Sequence, residues 1–189
     1  MTRKYEELLD RRALSAAEIA DVVQALESPE PDVFVSRPLL LEILGRAGAV
    51  EERAVVERFL DEHEDPSLVE AALHVLCDHW QLTADYLGRL QRFVEGEPWD
   101  EDSDVQLVAL GSAGEFLREQ RERRLLFALI NVLDSNDGVI RNAAYSALGR
   151  AMGRDWDATT DLYFMFEKDA DPTVREEALA RAVAETSAQ

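Results

Sequence analysis

The chain has 189 residues, 47% of them hydrophobic, and sets 39 acidic against 20 basic residues for a formal net charge of −19. That length suits one domain with a continuous core, and no apolar run approaches the roughly 18 residues of a membrane span. The charge repels nucleic-acid phosphates and anionic lipid, and it either draws a basic protein partner or simply keeps the chain soluble. The opening MTRKYEELLDRRALSAAE has basic residues but no apolar segment of a secretory signal. A lone cysteine, Cys77, excludes an internal disulfide and fits a reducing compartment. The expected location is therefore the cytoplasm. Apart from Lys4 and Lys168 every basic residue is Arg, a bias associated with GC-rich, bacterial genomes.

Residues 3 to 10 read as a short helix capping the first end of the body. Ser15 with Glu18 makes a capping box that opens a helix to about Glu27. Pro29, Pro31 and Pro38 make 28 to 38 irregular, and the next helix starts near Ser36, where Pro38 falls in the first turn. It ends around Gly48. Three further helix pairs follow at 50–62 with 66–80, 83–95 with 103–118, and 120–134 with 138–152. A last pair, 157–168 with 172–186, closes the chain, with fraying beyond Thr186. These give five repeats, about 15–48, 50–80, 83–118, 120–153 and 157–186, with 1–14 as a cap.

The pattern is clearest in Asp137 to Gly153, where Ile140, Ala144, Ala147, Leu148 and Ala151 form one apolar stripe of an amphipathic helix. Asp137 stands at the N-cap, and the small Ala144, Ala147 and Gly149 let a second helix come close. Similar stretches run from Asp65 to Cys77, Asp102 to Gly114 and Asp171 to Val183. Their first apolar residues, Leu68, Val105, Ile140 and Val174, are spaced by 37, 35 and 34 positions, with Val35 as a degenerate first member. Such periods, at two helices each, mean a helical solenoid. The run Asp171-Pro172-Thr173-Val174-Arg175 with its later Ala resembles the second helix of a HEAT repeat. Its style is similar to the short HEAT-like repeats of phycobilin lyases, over roughly residues 15 to 186.

The resemblance implies an all-α fold, a right-handed α-solenoid (α/α superhelix) of about five helix pairs, that presents a binding surface. Second helices would line its concave face and expose Glu70, His74, Asp78, Gln106, Asn142, Tyr145, Glu177 and Arg181. Arg141 and Arg175 fall in the repeat's Arg slot, which implies ladder pairs with Asp of an adjacent turn. A second internal match, W-x-x-T-x-D, joins Trp80, Thr83 and Asp85 to Trp156, Thr159 and Asp161. The two Trp residues are expected to plug junctions between pairs, and Thr83 to cap a helix.

The most unusual connection is Gly96 to Asp104, GEPWDEDSD. Glu95, Glu97, Asp100, Glu101, Asp102 and Asp104 crowd around Trp99 with no basic residue among them. An aromatic anchor in an acidic rim has the composition of a hot spot for a basic partner. The competing reading is a solvated loop whose Trp folds back on the third pair. The calcium-loop spacing D-x-D-x-D-G with its distant Glu is missing. His74, Cys77 and His79 suggest zinc, but on an α-helix His79 points away from His74, so no metal site is expected; Cys77 reads as a buried counterpart of Gly114 and Gly149. Arg118, Arg121, Arg123 and Arg124, interleaved with Glu115, Glu119 and Glu122, read as a salt-bridged, solvated end of two helices.

Catalysis has no support in the sequence: there is no nucleophile–base motif, no phosphate loop and no cofactor motif. Among enzymes of similar outline, deoxyhypusine hydroxylases need several His-Glu pairs where this chain has only His63-Glu64, and HEAT-like DNA glycosylases need a basic groove. The chain therefore reads as a non-catalytic solenoid, monomeric or in a hetero-complex. It would engage a basic protein through Trp99, Asp100, Glu101 and Asp102 with Glu70, His74, Asp78, Asn142 and Tyr145. One concrete form is an immunity protein neutralising a bacterial toxin. The alternatives are a scaffold or regulatory adaptor and a lyase-like maturation factor.

Overall fold

The computed structural model describes residues 2–9, 13–28, 36–154 and 172–186. Every described element is helical, and the chain divides into two compact units, Met1–Ala84 and Asp85–Gln189.

In the first unit α1 (Thr2–Leu9), α2 (Ala16–Glu27) and α3 (Arg37–Ala47) are followed by a 3-10 turn (Val50–Glu52), α4 (Arg53–Arg58) and a second 3-10 turn (Phe59–Asp61). Helix α5 (Pro66–His74) then runs on as one π-helical turn, Val75–His79. The capping box at α2 forms as expected: Glu18 N donates to Ser15 Oγ, and Ser15 N donates to Glu18 Oε2 at 2.8 Å. Each bond satisfies an amide that the first turn leaves without a partner. Helix α3 is the hub of this unit and packs against α1, α2 and α5. It buries Leu40, Leu41, Ile43 and Leu44, at about 1.5–3 kcal/mol per leucine-sized side chain. It ends at Gly48, whose φ of 66° favours a residue without a Cβ.

The second unit contains α6 (Leu87–Glu95), α7 (Asp104–Glu119), α8 (Arg123–Val132), α9 (Gly138–Ala151) and α10 (Pro172–Thr186). Here α6 packs against α7 and α8, α7 against α8 and α9, α8 against α9 and α10, and α9 against α10. The stripe Ile140, Ala144, Ala147, Leu148 and Ala151 is buried in full, as are Val174, Ala178 and Ala182 of α10. Asp137 caps α9, its Oδ1 accepting from Val139 N at 2.7 Å and Ile140 N at 3.3 Å. The small residues do permit close approach: a Cβ on Gly114 would lie 2.7 Å from the Ala147 carbonyl oxygen and 2.8 Å from its Cα.

Most helix boundaries agree with the sequence pattern to within a residue or two. Three do not. The expected helix over 50–62 is broken into 3-10, α and 3-10 segments. The one expected from residue 83 begins as a 3-10 turn, Thr83–Tyr86, in which Thr83 Oγ1 donates back to the Cys77 carbonyl at 3.3 Å rather than capping α6. The expected 66–80 helix changes to π geometry for its last five residues. The expected helix at 157–168, the residues Val35 and Asp171, and the Trp156–Asp161 half of the internal match lie outside the described residues.

Candidate functional site

The acidic connection between α6 and α7 is a folded loop whose carboxylates have been sorted into two kinds. Turns close it from Asp100 N to Glu97 O and from Ser103 N to Asp100 O. Ser103 takes the N-cap position of α7 in a left-handed conformation, φ 62°, and its side chain does not cap. Asp100 does that work from further back: its Oδ1 accepts from Val105 N at 3.3 Å and its Oδ2 from Gln106 N at 2.9 Å. A carboxylate there also meets the positive end of the helix dipole. Asp100 is consequently buried, 8% exposed, which corrects the expectation that it belongs to an exposed binding rim. Glu97 is held by Arg92, through Nε at 2.9 Å and Nη2 at 2.8 Å. Trp99 is half-buried and packs edge-on against Phe93 of α6, centroids 6.0 Å apart at 86°. Gln106 closes the loop by donating from Nε2 to Val94 O at 2.9 Å. Glu101, Asp102 and Asp104 remain exposed, with no cation beside them among the described residues.

The other expected surface residues are placed variously. Tyr145 is 6% exposed; it belongs to the core of the second unit, a correction that follows from the crowding of α9 against α7 and α8. Asn142 and Glu70 are half-buried. Glu177 pairs with Arg154 at 2.9 Å. Arg181 is engaged structurally: Nη1 donates to Ala151 O at 2.7 Å, and Nη2 to Leu117 O and Gln120 O at 2.9 Å each. It thereby serves the bare carbonyls at the ends of α7 and α9. Arg175 does reach an Asp, bonding both oxygens of Asp134 at 3.0 and 2.9 Å, but the pair is solvent-exposed rather than partly buried. Arg141 instead donates to the Ser135 carbonyl. Arg118, Arg121, Arg123 and Arg124 are exposed, as expected of a solvated end. Trp80, expected at a junction between helix pairs, is buried.

The π turn brings together a group that α-helical spacing would hold apart. Trp80 N donates to Val75 O at 3.0 Å, the i to i−5 bond that defines such a turn. A turn closing on the fifth residue returns His79 to nearly the same face as His74. The expectation that His79 points elsewhere is thus overturned: the two rings stand 4.8 Å apart, inclined at 67°. Both meet Glu42 of α3. His74 Nδ1 is 3.3 Å from Glu42 Oε2, and His79 Nε2 is 3.2 Å from each Glu42 oxygen. Arg46, one turn along α3, donates from Nε to Glu42 Oε1 at 2.6 Å, and Asp78 Oδ2 lies 3.6 Å from His74 Nε2. Burial raises the Glu42 carboxyl's pKa, but the Arg46 bond and the charges of His79 and His74 outweigh it and hold the group below its ordinary value. Gly45 makes the seat for this arrangement, since a Cβ there would lie 2.6 Å from His79 Cδ2 and 2.9 Å from Val75 Cγ2. Cys77, between the two histidines, is buried away from them and its thiol is pushed up to about 12 by burial.

No family model matches the chain, and neither a curated protein nor a solved structure matches it.

Proposed function

We propose that this chain is a non-catalytic protein-binding module, built of HEAT-like helix pairs, that engages a basic protein through its acidic surface. The observation that carries the reading is the pair Glu101 and Asp102. Both are exposed and without a cation among the described residues, on a loop that Asp100, Trp99 and Gln106 hold in one shape. In a chain of net charge −19, such carboxylates steer a cationic partner and set its orientation. The HEAT-like assignment is supported by the second unit, where among the described residues α6, α7, α8 and α9 each touch the next and α6 also touches α8 and α7 touches α9, and by the Arg175–Asp134 pair. The form this binding takes is inhibition of a basic bacterial toxin in the cytoplasm.

The test is capture from the native host by the tagged protein at low and high salt, beside a Glu101→Lys, Asp102→Lys double variant. A stoichiometric basic partner is expected, held at least tenfold more weakly by the variant and with a shallower salt dependence. Toxicity of that partner when expressed alone assigns the inhibitor role. A partner bound equally by both proteins at both salt concentrations would sink the assignment to this loop.

A further inference from the structure

We propose that Glu42, His74 and His79 form a binding site for a divalent first-row transition metal, with zinc the ion the donor set suits best. Two imidazoles and one carboxylate are borderline donors that favour such ions over magnesium or calcium, which take oxygen. Zinc bonds nitrogen and carboxylate oxygen at about 2.0–2.2 Å, so neighbouring donors around a tetrahedral ion stand roughly 3.3 Å apart. The His74 Nδ1–Glu42 Oε2 and His79 Nε2–Glu42 Oε2 separations of 3.3 and 3.2 Å match that edge. All three donor atoms lie within 4.8 Å of one another. A modest rotation of His74, whose side chain is 43% exposed, brings its nitrogen into range of the same centre. The side chains are 43% (His74), 24% (His79) and 21% (Glu42) exposed, so a water can supply the fourth ligand.

The surroundings are those of a supported site. The carboxylate of Asp78 lies 3.6 Å from the other nitrogen of His74, and closing that gap to a hydrogen bond would give the carboxylate–histidine support common to metal-bound histidines. Arg46 anchors Glu42 Oε1 and leaves Oε2 turned to both rings. The π turn is what aligns the two histidines, and single π turns inside helices are frequent at functional sites. Gly45 gives up helix propensity in the interior of α3 yet supplies the gap that His79 fills. Binding replaces the bonds between Glu42 and the imidazoles with metal–ligand bonds, and it releases any proton those donors share.

The experiment is a titration of the chelator-stripped full chain with zinc chloride against a chromophoric competitor. Cobalt(II) absorption serves as a second readout of coordination geometry. One equivalent is expected to bind, with a tetrahedral cobalt spectrum. Glu42→Gln and, separately, His79→Gln should each weaken binding at least tenfold with an unchanged far-UV spectrum, whereas His63→Ala, an exposed histidine of the same unit, should leave it intact. If Glu42→Gln fails to fold, His79→Gln alone decides. Absence of one-to-one binding by the unaltered chain, or equal weakening by His63→Ala, overturns the proposal.

Discussion

Gly45 and Gly114 are both buried in helix interiors, and both stand where two elements come too close for a side chain. They differ in what lies opposite. Gly114 of α7 faces the backbone of α9, with Ala147 O and Cα at 2.7 and 2.8 Å from the position a Cβ would take. Gly45 of α3 faces side chains, the rim of the His79 ring and a Val75 methyl. Backbone in a packed helix pair cannot give way without moving the helix, but an imidazole can turn. The same residue type is therefore a structural necessity in one unit and a positioning device in the other.

The sharpest test of that contrast is Gly114→Ala. Forcing α7 and α9 apart should cost about 3 kcal/mol, seen as a lowered urea midpoint; a loss below about 1 kcal/mol would break the comparison. An intermediate effect is expected from pH at Cys77, buried in the first unit. Below the thiol's ordinary value of 9.0 it is protonated whether folded or unfolded. Above that value the unfolded chain ionises while the buried thiol, at about 12, does not. Between about pH 9 and 10 stability should then fall by about 1 kcal/mol, and Cys77→Ala should flatten the slope. The smallest effect belongs to Gly45→Ala. The helix propensity of alanine gains about 1 kcal/mol against the tight contact, so stability should change by less than about 1 kcal/mol while the His79 ring resonances shift in a proton–carbon spectrum. An unmoved His79 would remove the positioning role.

The helices were legible because periodicity and capping are local properties of sequence. Ser15 with Glu18, Asp137 and the Ile140 stripe each announce an element before any tertiary contact is known. Three features of the candidate sites were not legible, for different reasons. Asp100 looks like one carboxylate among six; its burial depends on Ser103 adopting a left-handed conformation that leaves the cap of α7 to a residue three positions earlier. His79 was read at 3.6 residues per turn, and a single π turn changes which face it occupies. Glu42 could not be found at all by spacing, since it comes from a different helix, 32 residues before His74.

The capping role of Asp100 has a kinetic consequence for recognition at its loop. Segments that order only on contact lose conformational entropy at that moment and bind more weakly for the area they cover. Here Asp100, Gln106 and the Trp99–Phe93 contact fix the backbone beforehand, so Glu101 and Asp102 meet a partner already in position. Encounter is then governed by long-range attraction and collision geometry rather than by the rate at which the loop finds its shape.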